Sequence, residues 1–488
     1  MFQGALTRWQ TARGRGPFFL LILLGAISVL GHAPFFIAPA FILSFALFWI
    51  RIDAVSRWDD RPKRAVFWSG WAFAFGYFLA GLYWIGSAFL VRGGVYVWIM
   101  PLCVVVLPAL LSLFWAFAAS LYARLRVTHL GVSALIFAVV IGAAEWLRGH
   151  ILTGFPWNLP GYIFEGGNPI SQSASLFGIY GLTLLTLLLG AAFGPALIDT
   201  RKHFVAPTVC LAVFAGLFVW GHMRLNTHSD VEMTDLNIRV VQAAIDQTRK
   251  FDPEYYNEIV TRYTELTRSA GLDTIDVIIW PEGAIPGLVL ERREVMDAIV
   301  SALRPGQTLV LGVTRRDLEG RYYNSMAAIT VGADGSAGLS ALYDKRRLVP
   351  FGEYFPGGGL IEKLDMPTLS AAVASFTKGE TGLFAPPGLP PASAQICYEI
   401  IFPGFTDLST EPQPDYILNI SNDAWYGRST GPWQHLNQVR YRAIETGLPV
   451  VRSASNGVSG VIDPLGRRLN DTSPYALTVI DTVLPAPL

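Results

Sequence analysis

Long apolar runs fill the first half of the chain, and short apolar runs separated by turn residues fill the second half. A helix needs about 20 apolar residues to cross the hydrocarbon core of a membrane. Only helices and closed barrels satisfy their backbone hydrogen bonds in lipid, and uninterrupted runs of this length favour helices. Seven membrane spans are therefore predicted, at about 17–32, 36–50, 66–91, 95–121, 131–147, 173–198 and 204–222.

From residue 237 the pattern changes to short β-rich runs bounded by Gly, Pro, Asp and Asn, with helical patterns between several of them. The runs are apolar on both faces, which predicts covered sheets flanked by helices. The turn sequences GADG (332–335) and NG (456–457) indicate hairpins, so part of the sheet is expected to be antiparallel. The predicted strands are 236–245, 274–280, 308–314, 323–331, 392–397, 415–421, 449–454 and 459–464, and the predicted helices are 253–270, 291–303 and 432–446.

Composition and charge divide the chain at the same point. The chain is 52% hydrophobic and only 15% charged, against roughly 25% charged in average soluble proteins. Its net charge of zero conceals an asymmetry, because residues 1–224 carry 15 Lys and Arg against 6 Asp and Glu, whereas residues 225–488 carry 22 against 31. We therefore predict a transmembrane domain over residues 1–224 and a water-soluble domain over residues 225–488.

Basic residues fall in alternate connections between the predicted spans. Because Lys and Arg are enriched in cytoplasmic loops, this alternation predicts a cytoplasmic N-terminus. Seven crossings then place the second half on the opposite side, which is the periplasm for a multi-pass protein of a bacterial inner membrane. The predicted cytoplasmic residues are Arg8, Arg13, Arg15, Arg51, Arg57, Arg61, Lys63, Arg64, Arg124, Arg126, Arg201 and Lys202, and the other connections carry only Arg92 and Arg148.

The first span has an alternative interpretation as a cleavable signal peptide, because an apolar run follows a basic start. No clear Ala-x-Ala cleavage site follows the sequence GAISVLGHAP, and six further spans come after it. We therefore favour a retained helix.

Three polar residues follow apolar strands in the second half: Glu282 in DVIIWPEGAIP, Lys345 in LSALYDKRRLVPFGEYFP, and Cys397 in ASAQICYEIIFP. Side chains at strand ends lie at a crevice in open α/β sheets. Each residue alone has a simpler explanation, since a single Glu or Lys is usually a solvated loop charge and a single Cys is often a small core residue. The other two cysteines, Cys103 and Cys210, lie in apolar runs and offer Cys397 no obvious disulfide partner.

Together the three residues suggest acyl transfer. A helix N-terminus and a nearby ammonium are expected to lower the pKa of the Cys397 thiol, and a carboxylate takes its proton. The lysine then faces the oxygen of a tetrahedral intermediate. The sequence has no nucleotide-binding fingerprint and no zinc-ligand spacing, so we expect no cofactor, no metal and no nucleic-acid partner.

These positions resemble the Glu-Lys-Cys triad of the nitrilase, or carbon–nitrogen hydrolase, superfamily. With the membrane half and the sequences LRGHILTGFPWNLPGY, YDKRRLVPFGEYFP and NISNDAWYG, the chain is similar to the bacterial apolipoprotein N-acyltransferase family. The resemblance implies an αββα sandwich joined to a multi-helix membrane bundle. It also implies roles for individual residues: Glu282 is the general base, Lys345 the oxyanion-stabilising lysine, Cys397 the nucleophile, Glu353 the partner of the lysine, Tyr398 a backbone oxyanion donor, and Glu399 and Phe251 supporting residues.

The implied reaction moves an acyl chain from a phospholipid, typically phosphatidylethanolamine, to Cys397 as a thioester. The α-amine of an S-diacylglyceryl cysteine at the N-terminus of an apolipoprotein then takes the chain as an amide. We expect a monomer. Two competing hypotheses are a membrane-tethered amidase that uses water in place of the amine, and a non-enzymatic protein whose soluble half only binds lipid or protein.

The chain departs from the family pattern in two places. The family usually ends in one more membrane helix, whereas this chain ends at VIDTVLPAPL, so the helix is either truncated or naturally absent. The family also commonly has tryptophan where Phe251 aligns, and we expect only altered packing from the change.

Overall fold

The computed structural model describes residues 2–58, 62–356, 375–380 and 382–488. They form two compact units, the first comprising Met1–Ser229 with Tyr426–Tyr441 and the second Asp230–Trp425 with Arg442–Leu488. The division at Ser229 lies close to the predicted boundary after residue 224, but the return of residues 426–441 to the first unit is absent from the prediction. Arg61, one of the predicted cytoplasmic residues, lies outside the described residues.

Helices make up the first unit, as the long apolar runs predict. By length and composition, six of the helices among the described residues are able to cross a membrane, or seven if a pair bent by 114° counts as one span. That pair joins residues 3–11 to residues 16–31, so the predicted span 17–32 is its second arm. The helices are α1 (Phe2–Thr11), α2 (Gly16–Ser28), α3 (Ala38–Val55), α4 (Pro62–Leu82), α5 (Gly86–Arg92), α6 (Tyr96–Leu125), α7 (Leu130–His150), α8 (Ala174–Ile198), α9 (Thr200–His203) and α10 (Val205–Thr227).

The loop after α7 is fastened by a buried ion pair. Arg148 contacts Glu145 at 2.5 Å, and both side chains are fully buried. The Arg148 guanidinium also donates to the backbone carbonyl of Trp157 at 3.0 Å. The sequence suggests only a loop charge at Arg148, whereas in the structure this charge organises the loop.

Residues 426–441 pack within the first unit through polar side chains. Gln434 Oε1 accepts hydrogen bonds from the indole nitrogens of Trp84 at 3.1 Å and Trp157 at 2.8 Å. Arg440 pairs with Glu165 at 2.8 Å. These residues begin helix α13 (Gly431–Thr446), whose last five residues belong to the second unit.

In the described part of the second unit, the strands form two six-stranded mixed sheets. The first has the order β12-β1-β2-β3-β4-β5 and the second the order β11-β10-β9-β8-β7-β6. The strands are β1 (Met233–Ala243), β2 (Val277–Ile279), β3 (Thr308–Arg316), β4 (Tyr322–Val331), β5 (Ala337–Asp344), β6 (Leu383–Phe384), β7 (Ala392–Ile396), β8 (Tyr416–Asn422), β9 (Val450–Ser455), β10 (Gly460–Ile462), β11 (Arg468–Asp471) and β12 (Leu477–Pro485).

The first sheet is buried on both faces because its strands are apolar at odd and even positions alike. In β1, Ile238 and Val240 face a core shared with the second sheet. Val241 and Ala243 face the opposite core, where α11 (Tyr256–Thr267) and α12 (Arg293–Val300) pack. The predicted combination of apolar helices and an α/β sandwich is therefore confirmed.

All eight predicted strands are present, and both predicted hairpin turns join antiparallel neighbours, β4 with β5 and β9 with β10. Strand β5 was predicted only as the apolar strand that Lys345 follows, and strands β6, β11 and β12 are absent from the prediction. Strand β6 has only two residues, and most of β11 is exposed and polar. Neither strand is a short apolar run of the kind on which the prediction depends.

Candidate active site

Glu282 lies three residues beyond the end of β2, and its backbone is held against β3. Gly312 of β3 donates to the carbonyl of Pro281 at 3.2 Å and accepts from the amide of Ala284 at 3.3 Å. The two chains approach so closely that a Cβ atom on Gly312 would lie 2.5 Å from the Cα of Glu282. Glycine at position 312 therefore allows β3 to fix the carboxylate in place.

Lys345 directly follows β5 and is almost fully buried, with 1% of its side chain exposed. Its Nζ atom lies 2.9 Å from Glu353 Oε1 and 3.5 Å from Glu282 Oε1. Burial by itself lowers the pKa of this amine, but the carboxylates of Glu353 and Glu282 outweigh burial, so the pKa lies above its ordinary value. Lys345 therefore stays protonated between the two carboxylates.

Asn324 on β4 joins the same two carboxylates. Its Nδ2 atom donates to Glu282 Oε1 and to Glu353 Oε1, both at 2.7 Å. The second oxygen of each carboxylate accepts a backbone amide: Asn422 donates to Glu282 at 2.9 Å and Val349 donates to Glu353 at 2.7 Å. Every carboxylate oxygen of the pair therefore has a donor. Sequence reasoning missed Asn324 because it stands within the strand YNSMAAITV, where no pattern distinguishes it.

Cys397 follows β7 and begins a 3₁₀ helix, Cys397–Ile401. Its backbone has a φ of 50°. This left-handed conformation is unusual for a side-chain-bearing residue, costs about 1–3 kcal/mol and is concentrated at functional sites. The Cys397 side chain is buried.

The expectation that the surroundings lower the pKa of the Cys397 thiol is wrong. Burial, followed by the charges of Glu282 and Asp423, raises its pKa to about 12, although Lys345 and a hydrogen bond with Ser421 act in the opposite direction. The 3₁₀ helix is too short to supply a strong dipole, and two carboxylates share the Lys345 charge. The thiol is therefore neutral at rest and needs a base when it attacks. These electrostatic interactions also show that the sulfur, Glu282 and Lys345 share one site.

Glu399 is buried, and its carboxylate accepts hydrogen bonds from three backbone amides. One oxygen accepts from the backbone amides of Arg346 at 2.6 Å and Arg347 at 2.9 Å, and the other accepts from Ile396 at 2.7 Å. The Tyr343 hydroxyl also donates to this carboxylate. Glu399 thus ties the chain beside Cys397 to the chain that follows Lys345, which is a positioning role.

The remaining predicted residues have different environments. Tyr398 is buried, and its ring packs edge-on against Phe402 with centroids 5.0 Å apart. Phe251 is 69% exposed, so its ring is not packed in a core. The oxyanion role of the Tyr398 amide and the supporting role of Phe251 stay predictions.

Sequence reasoning also missed a buried network beside the thiol. Asp423 accepts from the hydroxyl of Ser421 at 2.6 Å and pairs with Arg452 at 2.6 Å. Gly457 faces this carboxylate so closely that a Cβ atom would collide with it. The sequence NG at 456–457 therefore serves both as a turn and as a space for Asp423.

The described residues contain no group of three or more His, Cys, Asp or Glu side chains suited to hold a metal ion. The chemistry of the described site rests on a thiol, an ammonium and carboxylates.

Two family models match this chain, and together they define the class of protein to which it belongs. Residues 237–486 match the family model for carbon–nitrogen hydrolases, and residues 24–192 match the N-terminal domain of apolipoprotein N-acyltransferase. The second unit is thus a carbon–nitrogen hydrolase domain, the class to which a Glu-Lys-Cys site is expected to belong.

Curated relatives give the particular family. The apolipoprotein N-acyltransferase of Rhodopseudomonas palustris is 37% identical over 99% of this chain and 92% of its own length. The proteins of that name from Caulobacter vibrioides and Bradyrhizobium diazoefficiens are 38% and 39% identical over 95% of this chain, and over 87% and 88% of their own lengths. The chain belongs to the apolipoprotein N-acyltransferase family, which confirms the resemblance found in the sequence.

Proposed function

We propose that this chain transfers a fatty acyl group from a phospholipid, through a thioester on Cys397, to the α-amine of an N-terminal S-diacylglyceryl cysteine of an apolipoprotein. The observation that carries the proposal is the buried Lys345, held between Glu282 and Glu353 beside a thiol on a strained turn. Family membership and the apolar helices support a lipid-linked substrate in a membrane protein.

In the first half-reaction Glu282 takes the thiol proton as the sulfur attacks the carbonyl carbon of the donor ester. The carbonyl oxygen becomes an oxyanion, and the ammonium of Lys345 and the backbone amide of Tyr398 stabilise it. When the intermediate collapses, the carbon–oxygen bond of the ester breaks and the lysophospholipid leaves with the proton held by Glu282. A base is required here because the resting thiol is neutral.

In the second half-reaction the neutral α-amine of the acceptor attacks the thioester carbon. Glu282 takes a proton from the attacking nitrogen and returns it to the departing sulfur, so that an amide and a free thiol result. Holding each lipid against one fixed sulfur converts a bimolecular reaction into an oriented one, which is a large source of rate.

The alternating basic loops support a cytoplasmic N-terminus and a periplasmic second unit, in the inner membrane of a bacterium. On that side the thiol has access to phospholipid and to exported apolipoproteins. The described residues leave Cys397 without a disulfide, since all three cysteines are free.

Transfer between two defined lipids tests this proposal. The purified chain in phospholipid bilayers, given phosphatidylethanolamine with a labelled acyl chain and a synthetic S-diacylglyceryl-cysteine peptide, is expected to produce a labelled N-acyl peptide. Release of labelled free fatty acid without an amide would favour the hydrolase alternative. If the labelled acyl chain stays on phosphatidylethanolamine, the binding-protein alternative would be favoured. The matched control is Cys397→Ala, which should form no labelled amide.

A further inference from the structure

Lys250 is a second buried amine at the active site, and it has no ionic partner there. Only 3% of the residue is exposed. Lys345 pairs with two carboxylates, whereas none of the ion pairs within 4.0 Å in the described part of the chain includes Lys250. A buried charge without a counter-ion is unfavourable, as is a charge left behind when one partner of a buried pair is removed.

Lys250 lies beside the general base. A Cβ atom built on Gly283, the residue after Glu282, would lie 3.8 Å from Lys250 Nζ. The charge of Glu282 also acts on the amine, but burial outweighs it and lowers the pKa of Lys250 to about 8. A bound anion would restore the charged form of such an amine.

Glu282 is already engaged by other donors. Its Oε1 atom accepts from Asn324 and lies near Lys345, and its Oε2 atom accepts from the amide of Asn422. This carboxylate therefore has little capacity left to neutralise a further ammonium. An anionic group of a substrate is therefore the better candidate to neutralise the Lys250 ammonium.

The two lipid substrates differ in this respect. The phospholipid donor carries a phosphodiester a few bonds from its reactive ester, whereas the diacylglyceryl cysteine acceptor has no phosphate. We propose that the ammonium of Lys250 binds the phosphate of the acyl donor and so selects phospholipid for the first half-reaction. This inference rests on the proposed acyl transfer and adds a specificity residue to it.

The test compares a phosphate-bearing donor with an uncharged one. In Lys250→Met, the KM for phosphatidylethanolamine in the acylation of Cys397 is expected to rise by about tenfold to 100-fold, the value of one or two charge-assisted hydrogen bonds. Acylation by p-nitrophenyl palmitate, which has no phosphate, should change by less than about twofold. Lys250→Arg should recover most of the affinity for phospholipid. Lys378→Met, at an exposed lysine of the same unit, is the matched control.

Inorganic phosphate provides an independent arm. It should compete with phosphatidylethanolamine in the wild type and in Lys250→Arg but not in Lys250→Met. If Lys250→Met does not fold, phosphate competition in the other two proteins still decides the outcome, since no competition in either would overturn the proposal. Equal slowing with both donors would assign Lys250 to Glu282 or to the fold, and would also overturn it. A wild type that accepts acyl groups from p-nitrophenyl palmitate but never from phospholipid would instead refute the proposed function.

Discussion

Replacing Lys345 with methionine is expected to slow acylation of Cys397 by about 10²-fold or more. Methionine keeps the length and apolar character of the side chain but removes the positive charge. The ammonium is held 2.9 Å from Glu353 and 3.5 Å from Glu282, so it is oriented before a substrate arrives. Loss of one preorganised group of this kind costs about 10²–10³ in rate. Single-turnover acylation with a labelled phospholipid measures the effect directly.

The same change leaves two carboxylates side by side with only Asn324 between them, so part of any loss arises from repulsion. The double variant Lys345→Met, Glu353→Gln removes one negative charge as well. It should recover most of the thermal stability lost by the single variant while its acylation rate stays low. A double variant as fast as the wild type would show that Lys345 serves only to balance charge, which contradicts the oxyanion role.

Replacing Glu282 with glutamine should lower the rate of acylation by about 10³-fold, within the usual range of 10²–10⁴ for a general base. The reason is that burial and neighbouring charges raise the pKa of the Cys397 thiol to about 12. Without a base, reaction depends on the small fraction of thiolate. Glutamine keeps an oxygen for the Asn422 amide, so the local fold should survive.

The pH dependence of this variant tests the reason behind the loss. Its residual rate should rise by about tenfold for each pH unit, because the thiolate fraction rises in that proportion below the pKa of the thiol. The midpoint of this pH–rate profile, which reports the pKa of the Cys397 thiol in the variant, should lie below 12. Removing the Glu282 charge removes one of the causes that raise this pKa. Lys345, Asp423 and Ser421 continue to act on the sulfur. A residual rate that is independent of pH would contradict a role for Glu282 as the base.

Those parts of the molecule that depend on local pattern were predictable from sequence. Apolar length predicts the membrane helices, and short apolar runs bounded by turn residues predict strands such as β1, where Val240 and Val241 are both buried and face opposite cores. The apolar runs also predict that Glu282, Lys345 and Cys397 follow strands. In the structure Glu282 follows β2 and Lys345 follows β5 of the first sheet, whereas Cys397 follows β7 of the second sheet.

Features that depend on distant contacts were not predictable. Asn324 bridges two carboxylates that stand 42 and 29 residues away in the chain. The pKa of Cys397 depends on burial and on Asp423, so the sequence-based expectation had the wrong sign. Likewise, Gln434 of the first unit accepts a hydrogen bond from the indole nitrogen of Trp157, which lies 277 residues earlier in the chain. Each of these follows from tertiary packing, which one-dimensional periodicity does not encode.

The most direct test of the account is the mass of the protein after it meets a phospholipid in the absence of acceptor. Intact-protein mass spectrometry should find one added acyl chain, peptide mapping should assign it to Cys397, and hydroxylamine should remove it as expected of a thioester. The chain should then pass to an added S-diacylglyceryl-cysteine peptide. An acyl chain on another residue, or N-acylated peptide formed by Cys397→Ala at the wild-type rate, would contradict the account.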